Sequence, residues 1–537
     1  MKRRIIFSED GGALAGGHTH GLYGGGSGGA EAYLRELFGP LVGTHVDTFV
    51  WSIGNTHQLS YDTKVAERFH EYGVESTGQI EAAWCWRWWR NLKDLIETGF
   101  DPPRIILDAA HDLGMETFAS LRMNDSHDAF MPSLDSRLKT EHPEWLIGEP
   151  GRDYGERTRP NGPDGLSGAM SGLEGALAPR PPRVQVPFPE WLASKPRNLV
   201  EWWRRRALNY AVPEVRAYIL SIVDEITEYG FDGVELDFMT FPYIFRLGEE
   251  QQHMDLLTGM VRDIRELIDR KAEDRGKPGL LMTRVPARID RCREIGIDVE
   301  TWIKDGLIDM LSIGRSYIPF SIPTEEWVRA VAGTSCKIYP SYNMMIGGRR
   351  EEYKTIEALR AFSMLHHSAG ADGIYLFNYG LPDPAVLGEI GQPDIIEERD
   401  KLYVADHPIV IDTVMFSSIP DELIPLPVEL NAEGDSKALG FRIGDKLERN
   451  EAREITLRME ISNLTEEDEL EFTLNGVNLV VGRHTPSFNH WTLEYPLASP
   501  PLRSGENQLE VHLKKRNPLI EPSLEIGVLH VSIKYNR

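Results

Sequence analysis

Glu235 and Asp237 stand two residues apart in Phe231-Asp232-Gly233-Val234-Glu235-Leu236-Asp237-Phe238, an apolar run bounded by a turn. Successive side chains of a strand point to opposite faces, so both acids share one face, and Val234, Leu236 and Phe238 share the other. Two carboxyls on an inward face are expensive to desolvate unless water, a ligand or a cation meets them. Paired carboxyls are what acid–base cleavage of a glycosidic bond requires: one protonates the leaving oxygen, the other acts as nucleophile or activates water. The competing structural reading makes either acid a buried ion pair with Arg284 or Arg122.

Such a pair needs a scaffold that aims it. Eight short apolar runs recur: Arg4–Ser8, Asp47–Ser52, Glu116–Leu121, Gly233–Asp237, Leu280–Arg284, Asp309–Ile313, Lys337–Tyr342 and Gly373–Asn378. Segments with apolar residues at helical spacing lie between most of them, among them Pro103–Leu113, Pro213–Tyr229, Gln252–Lys271, Val299–Asp305, Thr324–Ala332 and Glu352–Ser368. The alternation predicts an α/β fold, a closed (β/α)8 TIM barrel over residues 1–405 with long insertions at about 58–100 and 122–212. An open doubly wound sheet is the competitor. It would place a glycine-rich phosphate turn directly after the first strand, and Gly24–Gly29 comes too late for that. From about residue 406 the pattern changes to short alternating runs: Ile455–Ile461, Glu469–Leu474, Val477–Val481, His490–Tyr495, Gln508–Leu513 and Val528–Tyr535. Residues 406–537 are therefore expected to form an antiparallel β-sandwich, serving as a scaffold on the barrel in preference to a carbohydrate-binding module.

Residues just beyond the strand ends of a barrel converge on one basin. This collects Glu9 and Asp10, Trp51 and His57, Arg122, Asn124, Asp125 and His127, Glu235 and Asp237, then Arg284, Arg315, Tyr342, Asn378 and Tyr379. Amides, acids and arginines bond hydroxyl groups directionally, and aromatic faces stack on the apolar side of sugar rings. Asp237, Glu235 and Asp125 are the expected catalytic residues and the others the expected substrate contacts. Asp125 is the preferred second acid because it comes from a different strand. Three arginines facing the basin would favour an acidic sugar. In the first insertion, Trp84, Trp86, Trp88 and Trp89 are expected to divide, two of them forming that insertion's own core.

Bulk properties narrow the class. The chain has 537 residues, 41% of them hydrophobic and 26% charged, with a formal net charge of −25. That balance speaks against nucleic-acid and anionic-membrane partners. Three scattered cysteines suit neither a disulfide framework nor a zinc ribbon. The first residues read as a strand and not as a signal peptide, and no run of about 18 apolar residues occurs. A cytoplasmic protein is expected, with a carbohydrate substrate, no cofactor and the subunit count open. His18-Thr19-His20 offers a metal-dependent, amidohydrolase-like alternative, but the fifth, sixth and eighth runs supply no histidine or aspartate to complete its ligand set.

Ala207-Leu208-Asn209-Tyr210-Ala211-Val212-Pro213-Glu214-Val215-Arg216-Ala217-Tyr218-Ile219, leading into Tyr229–Asp237, resembles a motif pair of the family-10-like glycosyl hydrolases. Their pattern is W-x-N-P-x-x-P-E-V-R-x-Y-I followed by Y-D-V-D-G-V-x-L-D, often with Tyr-Pro soon after; Phe241-Pro242-Tyr243 stands in that place. The resemblance covers roughly residues 200–245. It implies a (β/α)8 barrel and a retained acid on the fourth strand, which maps onto Asp237. Asn209-Tyr210 departs from the expected Asn-Pro, and Glu235 falls where the pattern tolerates many residues. The reading is a glycoside hydrolase. The alternatives are the metal-dependent hydrolase, a non-catalytic glycan-binding barrel, and a uronate lyase with Tyr342 or His127 as base.

Overall fold

A computed structural model describes residues 2–11, 29–80, 83–129, 131–148, 204–314, 320–343, 351–379, 383–406, 425–447, 452–480, 482–498 and 500–535. Eight parallel strands form its first layer: β1 (Arg4–Glu9), β2 (Thr48–Asn55), β3 (Glu116–Arg122), β4 (Gly233–Asp237), β5 (Leu280–Val285), β6 (Met310–Ile313), β7 (Lys337–Tyr342) and β8 (Gly373–Phe377). Each pairs with the next, and β8 returns to β1 with Ile6 opposite Tyr375, so the sheet closes on itself. The predicted TIM barrel is the observed one, with every strand within a few residues of its expected bounds.

Alternation along the strands makes two cores. Ile6, Val50, Phe118, Met282, Met310, Tyr339, Tyr375 and Phe377 fill the barrel interior. Ile5, Phe7, Phe49, Trp51, Leu236, Ile338 and Tyr342 belong to the larger core between strands and helices. At Gly233 the interior has no room for a side chain, since a Cβ would lie 2.2 Å from the Phe118 ring. The glycine lets that ring occupy the barrel beneath Glu235.

Helices α1 (Gly29–Phe38), α2 (Glu71–Thr77), α3 (Ala83–Glu97), α4 (Pro102–Asp112), α5 (Arg137–Glu141), α6 (Pro213–Thr227), α7 (Glu250–Arg275), α8 (Ile289–Glu294), α9 (Val299–Lys304), α10 (Thr324–Ala330) and α11 (Ile356–Ser368) flank or decorate the barrel. Pro213 opens α6 at a position where a missing N–H costs nothing. In α3, Cys85, Trp88, Leu92 and Leu95 make a buried stripe, and Trp88 stacks on Phe69 at 4.4 Å. Trp84 packs against the same core, which is the large one shared with the barrel, so these two tryptophans join the insertion to the barrel and form no separate interior.

The second unit starts at β9 (Lys401–Val404), which pairs antiparallel with the last strand of the chain, Leu524–Tyr535. One sheet holds these two with Val428–Leu430, Ala452–Ser462, His490–Pro496 and Arg483–Pro486. The other holds Ser436–Ile443, Gly505–Lys515, Glu469–Leu474 and Val477–Asn478. The sandwich sits on barrel helices through Arg442 with Glu325, the Ser368 hydroxyl donating to the Gly444 carbonyl at 2.9 Å, and His530 against Tyr353 at 3.2 Å. No described helix is long and apolar enough to cross a membrane.

Candidate active site at the barrel mouth

Strand register sets the site. Arg122, Asp237 and Arg284 lie side by side on β3, β4 and β5, and Ser120, Glu235 and Met282 form the row one inward step deeper. Glu235 is buried. Its Oε1 accepts from the Ser120 hydroxyl at 2.6 Å and from the Tyr375 phenol at 3.0 Å, while Oε2 has no partner among the described residues. Burial first, and the neighbouring Asp237 charge second, hold this carboxyl up at about 7.

Asp237 is buried as well but richly bonded. Oδ1 accepts the Met239 N–H at 2.7 Å, Oδ2 accepts the Thr240 hydroxyl at 2.6 Å, and Arg284 Nη1 reaches both oxygens at 3.1 and 3.2 Å. The Arg284 guanidinium in turn lies 3.5 Å from the centroid of the Phe377 ring. Charge pairing and a cation–π contact thus tie β4, β5 and β8 together around one carboxylate.

A second cluster follows β3. Asp125 Oδ1 accepts from the His127 N–H at 2.9 Å and from His127 Nδ1 at 2.6 Å, and Oδ2 from Arg122 at 3.2 Å. Burial works to raise this carboxyl, but the His127 and Arg122 charges and hydrogen bonds hold it well below the usual carboxylate range. Arg122 also pairs with Asp10, which accepts from Asn378 Nδ2 at 2.9 Å. Asn378 is exposed at the rim. Glu9 accepts the Gly11 N–H at 2.8 Å. Beneath the cluster, buried Lys139 donates to the Asp125 carbonyl at 2.8 Å and to Asp128 at 3.0 Å, and Arg206 closes on Asp128 at 2.5 Å and Asp135 at 3.0 Å.

Several expected substrate contacts do not reach the mouth. Trp51 follows inward-facing Val50, so it points outward, fully buried and stacked on Phe231 at 6.4 Å. Tyr342 likewise faces the helices, 5.0 Å from Phe362. Asn124 is consumed by main chain: its amide donates to the Leu208 and Tyr243 carbonyls and its oxygen accepts the Leu208 N–H at 2.8 Å. His57 is buried, and burial first, then the Lys139 charge, push its imidazole down to about 3. Tyr379 is half-buried against the outer core, 6.1 Å from Tyr342. Arg315, His18 and His20 lie outside the described residues. The arginines do not favour an acidic sugar either, since Arg122 and Arg284 each already face carboxylates. Ser120, Tyr375, Thr240 and Lys139 are the supporting residues sequence reasoning passed over. For Ser120 and Tyr375, inward parity at the level of Glu235 was an available signal.

The arrangement thus joins one carboxyl able to hold a proton near neutrality to carboxylates paired with cations. Among the described residues no group of three or more histidines, cysteines, aspartates or glutamates is disposed to hold a metal.

No protein-family model matches the chain, and no curated protein does. Solved structures align at low identity. A cycloisomaltooligosaccharide glucanotransferase from Paenibacillus sp. aligns at 11% identity and TM-score 0.31, covering 98% of this chain and 57% of its own. An α-galactosidase from Thermus thermophilus aligns at 13% and 0.33, covering 76% and 64%. The PgaB (BpsB) glycoside hydrolase domain from Bordetella bronchiseptica aligns at 10% and 0.40, covering 73% and 99%. The chain therefore spans less than two thirds of the first two. These are carbohydrate-active proteins, and at such identities and TM-scores the likeness carries no argument about this chain.

Proposed function

We propose that the chain is a glycoside hydrolase working from the C-terminal mouth of its barrel. Glu235 donates the proton to the leaving oxygen. Asp237, one inward step nearer the mouth and oriented by Arg284, Thr240 and the Met239 N–H, is the nucleophile or water-activating base. Asp125, the second acid preferred on sequence, has both oxygens engaged by His127 and Arg122, so it orients those two toward the substrate and does not itself react. The observation that carries this reading is the buried Glu235 carboxyl, its Oε1 held by Ser120 and Tyr375 and its Oε2 without a partner among the described residues, one row from an Asp237 paired with Arg284. Carboxyls pushed apart in acidity mark an acid and its ionised counterpart. With Asp10, Asp125 and Asp237 set against Arg122 and Arg284, the described mouth suits a neutral sugar better than a uronate; Glu9 shares the outward face of its register partner Trp51. The resemblance around residues 200–245 points to the same reaction class. The sandwich, on its contacts with the barrel helices, serves as a scaffold.

Hydrolysis of a panel of neutral aryl glycosides and oligosaccharides by the intact chain tests this. Glu235→Gln and Asp237→Asn should each lower kcat by about 10²–10⁴-fold. Turnover indifferent to both substitutions, or no turnover on the panel, would sink the proposal.

One observation favours a second reading. Asp125 accepts from His127 Nδ1 at 2.6 Å, the pairing by which a carboxylate orients an imidazole, as a proton-abstracting lyase would need. An unsaturated product absorbing in the ultraviolet would identify that chemistry.

A further inference from the structure

Helix α3 turns its other face to a cavity unrelated to the barrel mouth. Val74, Gln79, Ile80, Ala83, Trp86 and Trp89 line about 410 Å³ between α2 and α3, inside the range of roughly 300–1,000 Å³ typical of small-ligand sites. Trp86 and Trp89 are three residues apart on a helix and so are side-by-side neighbours. Trp86 is 51% exposed, although the large core was within reach of its helix: Trp84 and Trp88 of the same helix pack into that core. The Trp89 ring carries Lys93 at 5.4 Å from its centroid, and Gln79 and the Gly78 main chain add polar groups, so the wall is mixed polar and apolar. One exposed and one half-buried indole, flanked by aliphatic side chains and an amide, match a ring that is apolar on its face and hydroxylated at its edge. The inner side of α3 touches the mouth, because the Trp88 ring lies against Gly11, where a Cβ would come within 2.4 Å. Gly11 directly follows Glu9 and Asp10, so the helix that carries the cavity borders the basin.

We propose that this cavity is a second carbohydrate site, holding a neutral pyranose unit of an oligosaccharide stacked on Trp86 and Trp89. The proposal rests on the carbohydrate reading of the barrel and adds a binding position outside it.

Calorimetric titration of the full chain with maltohexaose, cellohexaose, xylohexaose and chitohexaose provides the test. At least one hexasaccharide should bind, and Trp86→Ala should weaken that binding about tenfold, the value of one aromatic stacking contact, while Trp86→Phe keeps it within about threefold. Ala83→Phe, which fills the cavity without removing an indole, should reproduce the loss. Binding that Trp86→Ala and Ala83→Phe leave unchanged, or no binding of any of the four, overturns the assignment. Trp86-dependent binding without hydrolysis of any substrate would keep this site and remove the hydrolase. Hydrolysis with Trp86-independent binding would do the reverse.

Discussion

The Tyr375 phenol on β8 donates to Glu235 Oε1 on β4 at 3.0 Å, straight across the barrel interior. With the Ser120 hydroxyl on the same oxygen at 2.6 Å, three strands converge on a single atom, and the carboxyl's own proton is left to Oε2. Fixed donors on one oxygen define where the proton resides, which a proton donor needs before substrate arrives.

The raised Glu235 carboxyl makes stability depend on pH. Its proton is held more tightly in the folded chain, up at about 7, than in the unfolded one, at 4.5. The contribution is therefore complete below pH 4.5 and is lost as pH rises through 7. Relative to Glu235→Gln, the wild type should lose on the order of 3 kcal/mol across that window. Thermal midpoints of both proteins between pH 4 and 9 measure this; parallel profiles would contradict it. The rate should also fall above about pH 7 as the proton donor empties.

Breaking the Asp237–Arg284 pair leaves a buried guanidinium or carboxylate without its counterion. Asp237→Asn and Arg284→Met should each cost about 3–5 kcal/mol. The double substitution should cost less than the sum by about 1–3 kcal/mol, because the second removes the charge stranded by the first. Denaturant titration of the four proteins gives the coupling; strict additivity would mean that the two groups do not sense each other.

Asn124 should behave as a structural staple and not as a substrate contact. Asn124→Ala leaves the buried Leu208 N–H and two carbonyls unpaired, at about 1–3 kcal/mol for each unsatisfied group. Stability measured by chemical denaturation should drop while KM holds for whatever glycoside is turned over. A raised KM at unchanged stability would return Asn124 to the binding surface.

Gly233→Ala should crowd the barrel interior. The added methyl meets the Phe118 ring, so the variant should be less stable by about 1–3 kcal/mol, and Phe118→Leu in the same chain should recover part of it. Unfolding curves of the single and double variants decide this.

Much of this architecture was legible because each barrel strand is a short apolar run closed by polar residues, and the parity of Glu235 and Asp237 follows from period two alone. Trp51 and Tyr342 show where that reading was applied unevenly: being beside a strand end was taken as facing the basin, although each neighbours an inward position. The role of Asn124 could not be read, since its partners are main-chain groups of Leu208 and Tyr243, brought near only by the fold. Helix α1, after a glycine-rich stretch, and helix α3, crowded with tryptophans, carry clear amphipathic periods that the sequence reading left unused. Strand parity marks Ser120 and Tyr375 as inward-facing, but only the closed barrel shows that both reach the same carboxyl.

Because Arg284 serves the β4 carboxylate with its charge and the β8 phenyl ring with its face, these three positions form one unit. Transplanting the acid alone into a foreign barrel would strand it without counterion or lid. Moving the carboxylate into another barrel therefore means moving Arg284 and Phe377 with it.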